Sequence, residues 1–186
     1  PTIWIVFTIQ GFLPSTGFEI GLEESFIKNL HMILNACKVF WSIAVGYIAY
    51  KISIRKKNDK GIFDSYVHIM YASYIIAFAG VMLMIYALNN EINTLFPFAL
   101  FLVAGIQGVG PVFWSSPSLI YPEDLVSRGG FALGLLGNSA NVAAPILTNV
   151  LRNQALVYGW LAMGVVSLLG LIVAKMGKMR ELPKKK

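Results

Sequence analysis

The sequence has few charged residues and almost no cysteine or histidine. Charged side chains make up 13% of the chain, which is half of the roughly 25% usual for a soluble domain. The single cysteine, Cys37, lies in an apolar run, and an intrachain disulfide is excluded. Runs of about twenty uncharged residues recur along the chain, each long enough to cross a hydrocarbon core of roughly 30 Å. The composition therefore indicates an integral membrane protein.

The apolar runs also lack the residues of an enzyme site. They contain no Asp, no pair of His at metal-ligand spacing and no Ser–His pair at depth. Gly105, Gly108 and Gly110 lie within an apolar run without a following Lys, which is unlike a phosphate-binding loop. We therefore predict a protein that is not an enzyme, with no catalytic residues, no metal site and no cofactor.

The chain divides into six apolar segments separated by short connections. Because no water is available at membrane depth, each segment must satisfy its own backbone hydrogen bonds and is predicted to be a helix. The alternating pattern of a membrane barrel is missing. The predicted fold class is all-α: a polytopic membrane protein in which six transmembrane helices form one bundle and one domain, residues 1–186. The predicted helices cover residues 2–20, 30–52, 66–88, 95–121, 129–150 and 155–174, and a basic tail follows at 175–186.

The basic residues are concentrated on one side of this layout. The formal net charge is +6, and the excess lies in the second–third loop, the fourth–fifth turn and the tail. By the positive-inside rule, these regions and both ends of the chain are predicted to be cytoplasmic, in a multi-pass plasma-membrane protein. We expect them to face the lipid bilayer and not nucleic acid. The residues concerned are Lys51, Arg55, Lys56, Lys57, Lys60, Arg128, Lys175, Lys178, Arg180, Lys184, Lys185 and Lys186.

Polar residues at membrane depth are candidates for lining a substrate cavity. Lys38 is the one basic residue well inside an apolar run, where insertion costs about 2.5–3.5 kcal/mol. It either meets an anionic solute, pairs with a carboxylate such as Glu19, or extends to the outer surface. Asn138 and Asn141 share one face of the fifth helix with several glycines. Their amides either hydrogen-bond to a neighbouring helix or line a water-filled cavity.

Three further candidates lie in the first and fourth segments. Gln107 and Trp114 share a face of the fourth helix, next to the run Gly108–Pro111, which we expect to weaken or kink that helix. Broken helices in transporters line the binding cavity. Trp114 can equally face lipid or anchor the helix at the interface. Gln10 is the corresponding candidate in the first segment.

The charged turn between the fourth and fifth segments carries Glu123, Asp124 and Arg128. We interpret these residues as a cytoplasmic hinge or gate contact. The alternative is a capped helix start with a solvated ion pair.

These features together resemble the C-terminal half of a major facilitator superfamily transporter, with the six segments corresponding to the family's seventh to twelfth helices. The resemblance covers the whole chain. Its most specific part is similar to the tenth and eleventh helices of the anion:cation symporter branch. The residues that carry it are Gly110-Pro111-Val112-Phe113-Trp114, Pro117, Pro122, Arg128-Gly129-Gly130, Gly137-Asn138, Asn141 and Pro145.

The second–third loop resembles the family's cytoplasmic signature G-x-x-x-D-R-x-G-R-R, with departures. Gly46 fits, and Arg55-Lys56 keep the basic end. Lys51 stands in place of Arg, Tyr50 replaces the acidic residue and Ser53 replaces the second Gly. The resemblance makes Gly46 a candidate gate residue, but the acidic partner of the family's gating contact is missing here.

The resemblance implies a secondary transporter that moves a small solute, with an organic anion favoured. It would work by rocking one six-helix bundle against another, coupled to H⁺ or Na⁺. It also implies that the first, second, fourth and fifth segments line the cavity while the third and sixth lie outside. The start at Pro1, within an apolar run, favours a fragment over a half-size protein that pairs with a separate bundle. The alternatives are a non-transporting anchor or assembly module, and a transporter of sugars or drugs from the same superfamily.

Overall fold

The computed structural model describes residues 2–153 and 156–179, and gives the backbone alone for the helical residues 3, 4, 7, 133, 136–145, 147–149, 152, 156 and 177–179. This described part consists of helices joined by short connections and contains no strand, which confirms the predicted all-α class. The elements are α1 (Thr2–Glu19), α2 (Glu24–Arg55), α3 (Asp59–Asn89), a 3₁₀ turn (Asn93–Leu95), α4 (Phe96–Ala104), a 3₁₀ stretch (Gly105–Gly108), α5 (Val109–Ser115), α6 (Pro117–Ile120), α7 (Glu123–Arg152) and α8 (Leu156–Met179).

Four helical spans of the described residues are long and apolar enough to cross a membrane. They are Glu24–Arg55, Asp59–Asn89, Asn93–Ile120 and Val157–Met176, with 32, 31, 28 and 20 residues. At about 1.5 Å per residue, even the shortest reaches roughly 30 Å. These spans indicate a membrane-embedded protein. We call Asn93–Ile120 the segmented helix, because it contains α4, the 3₁₀ stretch, α5 and α6.

The segmented helix changes geometry where the sequence has glycine and proline. Gly105 N–H donates to the carbonyls of Leu102 and Val103, so it does not continue the α-helical ladder to Phe101. The indole Nε1 of Trp41 on α2 donates to the Phe101 carbonyl instead, at 2.9 Å. The α-helix resumes at Val109. The interruption that we expected near Pro111 therefore lies just before this proline. Pro111 itself is in the first turn of α5, where a residue needs no backbone N–H donor.

The core lies where α3 packs against α8 on one side and against the segmented helix on the other. Val81 and Met84 of α3 and Trp160 and Met163 of α8 are fully buried. A Cβ atom on Gly80 would lie 2.5 Å from the backbone nitrogen of Val103, so the glycine permits the close approach of α3 and α4. The third and sixth segments, expected on the outside, thus each bury one face in this core.

The second helix is the most exposed of the four spans. Only 17% of the most apolar 18-residue stretch of α2 is buried, compared with 33% for Asp59–Asn89, 56% for Asn93–Ile120 and 39% for Val157–Met176. α2 packs mainly on the segmented helix and also contacts α1. Most of its remaining surface is apolar and uncovered, as at Val39, Phe40 and Ile43.

The turn after α3 contains a non-glycine residue in the left-handed region. Glu91 has φ 57°, and the following Ile92 N–H donates back to the Ala87 carbonyl at 2.9 Å. The same reversal after α1 uses Gly21, with φ 73°. Since a Cβ atom is disfavoured in this conformation, the turn after α3 is the more strained of the two.

Candidate functional site

A groove of about 420 Å³ opens between α1, α2 and the 3₁₀ stretch. Its volume lies within the roughly 300–1,000 Å³ typical of small-molecule sites. It brings together three of the six predicted cavity residues, Gln10, Lys38 and Gln107, which lie on three different elements. We call it the Lys38 groove. Its lining residues are Val6, Gln10, Lys38, Val39, Ser42, Ile43 and Gln107.

Lys38 occupies a position that the packing of α2 would otherwise give to an apolar residue. The buried stripe of α2 includes Leu30, Leu34, Lys38, Val45 and Ala49, at helical spacing. Lys38 is 8% exposed, and its Nζ is buried without a hydrogen-bond partner. Within the described part of the chain, no carboxylate lies within 4 Å of this Nζ. A structural ion pair therefore does not account for the lysine.

The position of Lys38 along α2 follows from the start of this helix. The helix begins at Glu24, six residues before the predicted start at Leu30. Lys38 comes fourteen residues after Glu24, roughly 21 Å along the axis at 1.5 Å per residue. The Nζ atom is buried, so the side chain does not extend along α2 to an exposed position.

Gln107 is held at the groove by the glycines on either side of it. A Cβ atom on Gly105 would lie 2.9 Å from the side chain of Ile76 on α3, and one on Gly108 would lie 2.7 Å from Val45 on α2. The 3₁₀ stretch therefore fits closely between these two helices. The Oε1 atom of Gln107 is buried without a hydrogen-bond partner.

The two groove glutamines belong to a repeated motif that the sequence interpretation above did not use. Gln10-Gly11-Phe12-Leu13-Pro14 in α1 and Gln107-Gly108-Val109-Gly110-Pro111 in the segmented helix share the pattern Gln-Gly-x-x-Pro. Because proline has no N–H, neither glutamine carbonyl has its usual donor four residues later. The Gln107 carbonyl accepts from Val109 N–H instead. The repeat was detectable in the sequence, but only the structure shows that both copies meet at one groove.

The remaining predicted cavity residues are Trp114, Asn138 and Asn141, and Trp114 is not among the described residues that line the groove. Trp114 is 52% exposed, and its ring packs edge-on against Phe113 with centroids 5.3 Å apart. Asn138 and Asn141 belong to α7, but their side chains lie outside the described residues. Their role in a cavity stays a prediction.

The predicted gate residues lie on two helices, with Glu123, Asp124 and Arg128 in the first turns of α7 and Gly46 in α2. Glu123 and Asp124 form the exposed first turn of α7, where acidic side chains favour the helix N-terminus. Arg128 is exposed too, and no ion pair within 4 Å links it to either carboxylate in the described part of the structure. Gly46 faces the segmented helix, because a Cβ atom there would lie 4.0 Å from the Pro111 side chain.

The apolar walls of the groove had no signal in the sequence. Val6, Val39 and Ile43 are ordinary members of apolar runs, and nothing distinguishes them before the helices are packed. No group of three or more potential metal ligands occurs among the described residues.

No protein-family model, characterised protein or solved structure matches this chain. The chemistry of the groove itself is therefore the main guide to function. Lys38 is the one ionisable residue among the described residues of its lining, and a lysine offers only donors. The groove can therefore hold an anionic group, with glutamine amides beside it and apolar walls around it.

Proposed function

We propose that this protein is part of a secondary transporter that carries a small organic anion across a membrane by alternating access, coupled to H⁺ or Na⁺. The observation that supports it most is the buried, unpartnered Nζ of Lys38 in the groove between α1, α2 and the segmented helix. Charged residues at membrane depth are costly, and they commonly belong to substrate or ion pathways. A bound anion would supply the missing partner.

The two Gln-Gly-x-x-Pro motifs also support transport. In transporters built from two structural repeats, helices interrupted by Gly or Pro at corresponding positions mark the substrate site. Here the motifs lie in α1 and in the segmented helix, the first and fourth spans of a six-span layout. We propose that all six spans cross the membrane as one bundle of the major-facilitator type.

The exposed face of α2 supports a second bundle as partner. A groove containing Lys38, Gln10 and Gln107 is poorly suited to contact lipid tails, because polar groups in hydrocarbon need partners. We propose that a second six-helix bundle covers this face and completes the cavity, whether from the same chain or from another. The positive-inside rule then places the basic α2–α3 loop in the cytoplasm of a plasma-membrane protein. A Lys57→Cys variant in a Cys37→Ser background should then react with a membrane-impermeant thiol reagent from the cytoplasmic side only.

Uptake into proteoliposomes tests the transport function. The intact protein is reconstituted, and the uptake of labelled small carboxylates is measured with a pH gradient, with a Na⁺ gradient and with neither. We expect uptake that depends on one gradient and is lost in Lys38→Gln at an equal amount of inserted protein. If no carboxylate is taken up under any gradient, an anion-transport function is refuted.

An assembly module is the competing function, and the apolar rim formed by Val39, Phe40 and Ile43 favours it. In that case a helix of a partner protein, and not a solute, fills the Lys38 groove. Asn138→Ala and Asn141→Ala, made separately, provide a second distinction. Loss of uptake with normal insertion supports a cavity that includes these residues, whereas uptake that survives both changes removes them from the proposed site.

A further inference from the structure

We infer that the solute of the Lys38 groove carries a hydrogen-bond donor next to its anionic group, and that Gln107 selects for this donor. The inference rests on the proposed transport function. It narrows the solute from organic anions in general to small carboxylates that also have a hydroxyl or N–H group.

Two residues that line the same groove each carry a buried polar atom, and the two atoms have opposite hydrogen-bonding requirements. Lys38 Nζ can only donate, and Gln107, with its amide oriented as in this structure, presents an oxygen that can only accept. Each is buried without a partner, and both residues line the groove. A simple carboxylate would satisfy Lys38 but leave the Gln107 oxygen unpaired and cut off from water. A solute that places a donor beside its carboxylate would satisfy both atoms.

The rest of the lining restricts the solute further. No acidic side chain is among the described residues that line the groove, and none of these would balance a cationic solute. Val6, Val39 and Ile43 supply apolar walls, which suit a short hydrocarbon or aromatic part. The Gln107 oxygen thus accompanies Lys38, and a donor on the solute would have a partner.

Matched pairs of solutes test this selection in the intact protein. The uptake of lactate is compared with that of propionate, and mandelate with phenylacetate, since each pair differs by one hydroxyl group. Leaving a buried acceptor unpaired should favour the hydroxylated solute by about 10- to 100-fold in uptake efficiency. Gln107→Leu should bring the ratio close to one, mainly through slower uptake of the hydroxylated member.

Gln10→Leu is the matched control. Gln10 lines the same groove and is half-buried like Gln107, but its side chain contributes none of the buried atoms without a partner. This variant should keep most of the preference. If Gln107→Leu does not insert into the membrane, the uptake ratio of the hydroxylated to the unsubstituted solute in the unchanged protein tests the inference.

The outcomes separate this inference from the proposed function. Carboxylate uptake with no preference for the hydroxylated members overturns the inference and leaves anion transport in place. A preference that persists in Gln107→Leu, or that is lost equally in Gln10→Leu, overturns the selective role of Gln107. Absence of all carboxylate uptake overturns the proposed function itself.

Discussion

Replacing Lys38 by methionine should make the protein more stable while abolishing uptake. Lys38 lies in the apolar stripe of α2 between Leu34 and Val45, is 8% exposed and has no partner for its Nζ. A lysine at the centre of a membrane helix costs about 2.5–3.5 kcal/mol. A methionine side chain has a similar length and lacks the amino group. We therefore expect the free energy of unfolding to rise by about 2–3 kcal/mol.

Equilibrium unfolding in detergent micelles, followed by tryptophan fluorescence, measures this change. Lys28→Met on the same helix is the matched control, because the Lys28 side chain is 73% exposed and pairs with Glu24 at 2.8 Å. Exposed ion pairs contribute little to stability, and this variant should unfold almost like the unchanged protein.

A destabilised Lys38→Met variant would refute the reasoning. Such a result would mean that Lys38 has a structural partner whose loss weakens the fold, and the case for an anion in the groove would lose its main support. A gain in stability together with intact uptake would also contradict it, because the lysine would then serve neither the fold nor the solute.

Three further changes test the packing by thermal or denaturant unfolding. Gly80→Ala should lower the free energy of unfolding by about 1–3 kcal/mol, because the new methyl group meets the backbone of the segmented helix. The control Gly11→Ala, with no atom within 4 Å of the new Cβ, should not lower it. Equal effects of the two variants would contradict the close α3–α4 contact. Glu91→Gly should stabilise by up to about 1 kcal/mol by relieving its left-handed backbone, and Glu23→Gly, at an extended N-cap, should not. Trp41→Phe should cost about 1 kcal/mol through the lost indole hydrogen bond, and an unchanged stability would show that this bond is dispensable.

The sequence alone determined the class of this protein. Long uncharged runs leave no alternative to burial in a membrane or a core, and backbone hydrogen bonding at that depth requires helices. Lys38 was identifiable on the same grounds, because one basic residue in an apolar run is conspicuous against its neighbours. Gln107 was identifiable because its helix carries a Gly–Pro interruption. These conclusions depend on local chemistry and needed no tertiary information.

The tertiary structure decided the burial of the Lys38 Nζ atom and the identity of its neighbours. Polar turns continue a helix beyond its apolar run, so the start of α2 at Glu24 was not visible from hydrophobicity. Asn35, three residues before Lys38, is exposed, since the buried stripe of α2 passes through Leu34 instead. In a membrane protein the outer surface is as apolar as the core, and the apolar pattern therefore cannot show which face meets another helix. That is why the meeting of Gln10 with Lys38 and Gln107, from three separate elements, emerged only from the packed helices.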